Sequence, residues 1–250
     1  MLEPRIIPCL LIHKGGLVKT VRFKSPKYVG DPLNAVRIFN EKKVDEIMVL
    51  DIDASVTNSK PNLKLIENLA VECQMPLCYG GGIKSIESAQ EIFQLGVEKI
   101  SLSSIIFEDI SIISQLAKSV GSQSVVITLD IKKNIFGKQK IYINNGKVPV
   151  NIGLDECLKI IQEEGAGEVV VNNIDLDGTM TGYDLKLINY LKEKISIPLT
   201  VLGGAGAVDD FKDILKDYPI IGLSAGSFFV FKGKYKAVLI SYQKEKIIEK

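Results

Sequence analysis

Short runs of β-branched and other apolar residues alternate along this chain with longer segments whose apolar positions recur at helical spacing. That is the pattern of βαβ units around a parallel sheet. Eight such runs begin near Arg5, Glu46, Pro76, Glu98, Ser124, Glu168, Pro198 and Ile220. Two stretches break the alternation, Leu17 to Phe23 and Gln139 to Val148 with its Asn144-Asn145-Gly146 turn. Both predict small hairpins on loops that follow strand ends.

The pattern also repeats. Sliding the sequence against itself by 122 residues aligns Glu46 to Gly82 with Glu168 to Gly204, with 14 identities in 37 positions where chance supplies about two or three. Ile52-Asp53 meets Ile174-Asp175, Leu63-Lys64-Leu65-Ile66 meets Leu185-Lys186-Leu187-Ile188, and Gly81-Gly82 meets Gly203-Gly204. Units this long are half of one symmetric domain and not solenoid repeats. Four strand-helix units in each half, with no Pro/Gly/Ser-rich linker between them, predict a single α/β domain over residues 1–250. The expected fold is a (β/α)₈ TIM barrel built from two repeated half-barrels of about 1–122 and 123–250. An open doubly wound sheet is the competing architecture, but it explains neither the eight units nor the duplication.

Composition narrows the chemistry. Of 250 residues, 46% are hydrophobic and 24% charged, and the net charge is +1, which suits a globular domain without a global field for nucleic acid or an anionic membrane. A single histidine, His13, excludes His-rich metal sites and mechanisms that need two imidazoles. Cys9, Cys73, Cys78 and Cys157 show no CxxC spacing, so neither a zinc site nor a redox motif is expected, and a reducing cytoplasm fits best. The apolar run Ile6 to Ile12 is interrupted by Pro8 and is far shorter than the roughly 20 residues of a membrane span. No metal or organic cofactor is expected.

Glycine-rich turns follow two of the repeat-related strands: Tyr79-Gly80-Gly81-Gly82-Ile83 and Leu202-Gly203-Gly204-Ala205-Gly206. Such turns bring bare N–H groups against a phosphate, although a single one is more often a tight βα connection. Ser101 to Ser104 and Ser224 to Ser227 stand at the equivalent place after the next strand of each half. Two symmetric cradles imply a long substrate with phosphate at both ends. Asp130 continues the core strand Val125 to Ile131 and is the preferred general acid or base. Asp51, Asp53, Asp175 and Asp177 end strands two and six, where an aspartate can equally anchor a loop or cap a helix. At the opposite end, Arg5, Glu46, Lys99 and Glu168 mark the starts of strands one, two, four and six. Two charges of each sign around a barrel opening must pair, as a plug or as a gate that parts for a small polar molecule.

With these residues in view, the chain resembles the cyclase subunit of imidazole glycerol phosphate synthase, the HisF family, over nearly its whole length. The motifs that carry the resemblance include Arg5-Ile6-Ile7 through Cys9-Leu10, Gly30-Asp31-Pro32, Leu50-Asp51-Ile52 with Ala54-Ser55, and Gly80-Gly81-Gly82-Ile83. Gly121-Ser122-Gln123, Gly165-Ala166-Gly167-Glu168, Asp177-Gly178-Thr179, Gly182-Tyr183-Asp184 and Gly203-Gly204-Ala205-Gly206 extend it. The resemblance implies a HisH-like glutaminase docked on the barrel bottom and ammonia passing up the axis to a doubly phosphorylated substrate. It identifies Arg5, Glu46, Lys99 and Glu168 with the family's charged gate and Lys19 with its substrate-loop lysine. Gly82, Ser103, Ser104, Asp177, Gly178, Gly203, Gly204, Ala225 and Ser227 fall on its phosphate-contacting positions. Ser103 and Ser104 stand where Asn and Thr are usual.

One departure outweighs the others. The family works with paired aspartates at the ends of strands one and five; the second is Asp130, and the first position is Leu11. Leucine transfers no proton, so the acid-base pair for lyase and ring-closing chemistry is broken. His13 shares the parity of Leu11 and is the candidate substitute. Gate and cradles without the first aspartate resemble the HisF-like group associated with glycosyl amidation. That resemblance implies ammonia delivery toward a sugar-derived molecule, with a separate sugar amidotransferase forming acetamidino sugars. A cyclase of histidine biosynthesis, a noncatalytic ammonia channel or scaffold, and the related phosphoribosyl isomerase are the alternatives.

Overall fold

A computed structural model describes residues 3–248. Eight strands form the wall of a barrel: β1 (Arg5–His13), β2 (Ile47–Asp51), β3 (Leu77–Gly80), β4 (Lys99–Leu102), β5 (Val125–Lys133), β6 (Glu168–Asn173), β7 (Leu199–Leu202) and β8 (Gly222–Ala225). Each pairs in parallel with its neighbour, and β8 pairs with β1, so the sheet closes on itself. This is the (β/α)₈ barrel that the alternating pattern predicts. β3 and β7 begin directly after Pro76 and Pro198, which have no N–H to give a ladder.

Among the described residues, seven helices cover the wall: α1 (Pro32–Glu41), α2 (Leu63–Glu72), α3 (Ile86–Gln94), α4 (Ile112–Val120), α5 (Leu154–Glu163), α6 (Leu185–Lys194) and α7 (Val208–Asp217). Their starts are written locally. Asp31, Asn62, Ser85 and Asp184 each accept a hydrogen bond from the backbone N–H three residues on, and Pro32 opens α1 with its fixed φ. The eighth unit is irregular, with a short turn at Ser227–Val230 and a last one at Lys244–Ile247. Tyr242 ties the segment before that last turn to the N-terminal end of the barrel, donating to Ile6 O at 2.9 Å beside the Asp45 carboxylate.

The apolar core has two parts. Phe39, Ile66, Leu69, Ile92, Leu116 and Phe211 belong to the layer between helices and wall. Ile7, Cys9, Met48, Cys78, Val126, Val170 and Leu202 form a separate cluster inside the barrel, from the alternate strand positions that point inward.

Both predicted hairpins exist and both extend the top of a wall strand. Gly16–Val21 pairs antiparallel with the end of β1 and with a further strand, Lys24–Gly30. Gln139–Ile143 pairs with the end of β5 and with Val148–Pro149. The strand Lys24–Gly30 escapes sequence reading because its first five residues are exposed on both faces, so it has no period-two alternation. Among the described residues, no helix is long and apolar enough to cross a membrane.

Candidate functional site

At the N-terminal end, Arg5, Lys99 and Glu168 open β1, β4 and β6, and Glu46 directly precedes β2. Strand alternation turns all four toward the axis, where they form one closed network. Arg5 donates to Glu46 Oε2 and to Glu168 Oε1, each at 2.7 Å, and Lys99 Nζ donates to Glu46 Oε2 at 2.9 Å and to Glu168 Oε2 at 3.0 Å. Thr200 Oγ1 completes the set by donating to Glu168 Oε1 at 2.6 Å. Glu46 and Glu168 are only 3% and 4% exposed. Burial pushes the Glu168 carboxyl up, but the hydrogen bond and charge of Arg5, then Lys99, outweigh it and leave the group below its ordinary range. Burial likewise disfavours the Lys99 ammonium, and the two glutamates reverse the sign. The ring is neutral and fully paired.

Above the ring, Ile7, Met48, Cys78, Val126 and Val170 make the interior apolar. A polar rung follows, Ser101 Oγ and Thr128 Oγ1 at 2.6 Å. That rung belongs to the lining of a cavity of about 350 Å³ that opens at the C-terminal end of the strands. Cys9 lies in the same lining, and burial pushes its thiol up to about 12, so it is an inert wall group.

The predicted cradle residues lie around this cavity. Gly81 and Gly203, repeat partners at the tops of β3 and β7, have φ of 118° and 97°. A Cβ there would stand 2.5 Å from Asp51 O and 2.7 Å from Asn173 O, themselves a repeat-related pair. Only glycine therefore lets the turn fold back onto the neighbouring strand. Gly82 and Ser103 line one side, Gly204 and Gly226 the other. Their four N–H groups donate to no protein acceptor among the described residues. Ser104 and Ser227 begin short helical turns behind them, and Ala225 closes β8.

Asp130 and Leu11 both face the cavity, on β5 and β1. Burial pushes the Asp130 carboxyl up to about 7, against the opposing effect of a hydrogen bond from Asn172 Nδ2 at 3.0 Å. His13 is the last residue of β1 but does not line the cavity. Its Nδ1 lies 2.6 Å from Asp53 Oδ1, and Asp53 Oδ2 accepts from Lys14 N at 2.7 Å. The imidazole is thus turned to the rim and held there, away from the place a substitute for the strand-one aspartate would occupy. Asp175 does for β5 what Asp53 does for β1, accepting from Lys133 N at 2.9 Å. Asp51 anchors its own loop through Asp53 N and Ala54 N.

The first hairpin covers the mouth. Thr20 Oγ1 donates to Asp177 Oδ2 at 2.8 Å, Arg22 N donates to Asp177 O at 2.8 Å, and Gly178 packs directly beneath Thr20 O. Asp177 and Gly178 are therefore latched to the hairpin. Lys19 points inward from it, buried, with Nζ donating to Cys9 O, and burial lowers the affinity of that amine for its proton. A side chain at position 226 would collide with it, since a Cβ there would lie 2.5 Å from Lys19 Nζ. The second hairpin closes from the other side: Asn145 Nδ2 donates to Ile52 O at 2.8 Å, and Gly146 packs against Phe23. Asn172 and Thr128 are not among the site residues read from sequence, and Phe23 and Asn145 enter there only as hairpin positions. Asn172 shares the inward parity of Glu168 on β6 and was legible in that alternation; Phe23 and Asn145 depend on loop meeting loop.

The model of a family described as histidine biosynthesis protein matches residues 5–236. A protein of Vibrio vulnificus (strain YJ016), provisionally named imidazole glycerol phosphate synthase subunit hisF3, is 54% identical over 254 residues, spanning 100% of this chain and 98% of its own length. A Leptospira interrogans protein, provisionally named subunit HisF, is 51% identical over 243 residues, covering 97% and 96%. The Alkaliphilus metalliredigens (strain QYMF) imidazole glycerol phosphate synthase subunit HisF is 35% identical over 229 residues, covering 92% and 91%.

Proposed function

We propose, for a chain that belongs to the histidine biosynthesis protein family as a HisF-like member, that the barrel receives ammonia from a HisH-like glutaminase at its N-terminal end. It delivers that ammonia to a phosphate-bearing molecule in the cavity at the other. The product is destined for acetamidino-sugar formation, in concert with a separate sugar amidotransferase. The observation that carries this reading is one juxtaposition: a complete paired ring of Arg5, Glu46, Lys99 and Glu168 below, and Leu11 above where a second carboxylate would have to face Asp130.

Each part has a physical role. The ring separates bulk water from the axis, and neutral ammonia crosses the apolar layer more cheaply than ammonium, because burying an unpaired charge costs far more than burying a small neutral donor. The unpartnered N–H groups of Gly82 and Ser103 on one side, and of Gly204 and Gly226 on the other, suit the two phosphates of an elongated substrate. Lys19, held over the cavity by the hairpin, adds a positive group beside the second cradle. Asp130 remains able to take or give one proton near neutral pH, but Leu11 cannot act as its complement, so paired acid-base ring closure lacks half its apparatus.

The test offers the purified barrel the histidine-pathway substrate with ammonium chloride, and offers the same to Leu11→Asp. No turnover by the native chain, with cyclase activity gained on restoring the carboxylate, is the expected result. Turnover by the native chain at the rate of a working cyclase, or rescue of a strain lacking its own cyclase, would return the protein to histidine biosynthesis.

A further inference from the structure

Inside the barrel mouth, one buried polar atom has no partner among the described residues. Asn172 is 5% exposed and its Nδ2 donates to Asp130 Oδ1, but its Oδ1, also buried, accepts nothing. Leaving such an acceptor without a donor costs roughly 1–3 kcal/mol, and its place in the cavity lining lets a small bound molecule supply one. With Asp130 ionised, the orientation of the amide follows from chemistry: the carboxylate only accepts, so it takes the NH₂ end of Asn172 and leaves the carbonyl end facing elsewhere. That carbonyl lies near Gly203, where an added Cβ would be 3.1 Å from Asn172 Oδ1.

The surroundings restrict what can bind. Asn172 Oδ1 and the Asp130 carboxylate are acceptors that share the cavity, and the nearest polar rung, Ser101 with Thr128, is already paired to itself at 2.6 Å. A ligand for this pair must bring several donors on a small centre. A phosphate or a carboxylate is excluded by charge, even though the Gly203 turn of one cradle packs beside Asn172. The layer beneath is apolar down to the charged ring, so a molecule arriving along the axis meets the Ser101–Thr128 rung and then this pair.

We propose that Asn172 and Asp130 form an acceptor site for ammonia at the point where the axial path enters the cavity, with Asn172 as the positioning residue. This rests on the ammonia-delivery reading and gives it a specific docking point. Three or four N–H donors on one nitrogen satisfy Asn172 Oδ1 and the carboxylate together. Ammonia beside protonated Asp130 and ammonium beside ionised Asp130 are the same composition, differing by one proton shifted across the pair. The inward parity of β6 supplies the geometry: Glu168 at the entrance, Val170 in the apolar layer and Asn172 at the exit are successive inward positions of one strand.

The measurement is the Asp130 carboxyl ¹³C titration of the purified barrel with ammonium chloride, and with potassium chloride at equal ionic strength. Saturable ammonium binding is expected to lower the Asp130 midpoint, with potassium giving at most a small fraction of that shift. Asn172→Leu, of similar volume, should reduce the ammonium-dependent shift several-fold, and Asn172→Ala, which also removes the acceptor, serves if the leucine variant does not fold. An equal response to potassium, or an undiminished ammonium response in the folded variant, overturns the proposal. Ammonium added to the purified barrel also enters from the mouth, so this equilibrium response does not depend on passage through the ring. Failure of glutaminase-derived transfer in an otherwise responsive barrel would therefore count against the channel reading and not against this site.

Discussion

Thr20 Oγ1 donates to Asp177 Oδ2 at 2.8 Å, and this one bond joins the hairpin over the barrel mouth to the loop after β6. Asp177 is half-buried, and desolvation pushes its carboxyl up against the opposing bond from Thr20 and the charge of Lys19. The carboxylate thus depends on the hairpin as much as the hairpin depends on it. Thr20→Val removes the donor and keeps the shape. The closed hairpin should lose about 1–2 kcal/mol, seen as roughly tenfold faster amide exchange across residues 16–30, with the exchange of β5 and β6 unchanged.

The ring at the other end answers differently. Glu168 takes hydrogen bonds from Arg5, Lys99 and Thr200, so Glu168→Gln leaves two cations sharing Glu46. Breaking a buried network from one side costs about 3–5 kcal/mol, and urea denaturation should read a loss of that order. The native Glu168 carboxyl lies below its ordinary range, so its contribution is present above the unfolded-state pKa. It is lost as pH falls through the lowered folded value. The native chain should therefore lose stability on acidification more steeply than Glu168→Gln does.

Asp130 carries the opposite sign. Its carboxyl is pushed up to about 7 from an ordinary value near 3.9, so the folded chain binds the proton more tightly than the unfolded one. The resulting penalty is absent below the unfolded value, grows between about pH 4 and pH 7 and is complete above it. Asp130→Asn removes the penalty, and denaturation at pH 8 should show it more stable than the native chain by about 1–3 kcal/mol. The two chains should converge below about pH 4.

Gly204 is a cradle residue whose φ of 116° and close approach to Gly182 O both reject a side chain. Gly204→Ala should cost at least about 2 kcal/mol in thermal or urea unfolding. Inorganic phosphate should also stabilise the variant less than it stabilises the native chain, since the displaced turn carries one of the free N–H groups.

Much of this protein is legible along the chain. The alternation of apolar runs and helical segments yields eight strand-helix units, and the ring residues stand at strand starts where inward parity can be counted from Arg5, Lys99 and Glu168. Glycines at 81, 82, 203 and 204 mark where backbone must approach backbone, because local φ and close contact are written in the absence of a side chain. Other features were decided only when the barrel closed. His13 has the parity of Leu11, yet Asp53, 40 positions on and brought close by the pairing of β1 with β2, turns it to the rim. Asp177 and Gly178 sit under a hairpin that begins more than 150 residues earlier, and Phe23 meets Gly146 across the mouth. Sequence determines periodicity, parity and backbone permissiveness, since these are properties of neighbours along a strand or turn. Which carboxylate is raised or lowered, and which acceptor is left without a donor, follows from groups far apart in sequence sharing one desolvated space, and only the tertiary structure brings them there.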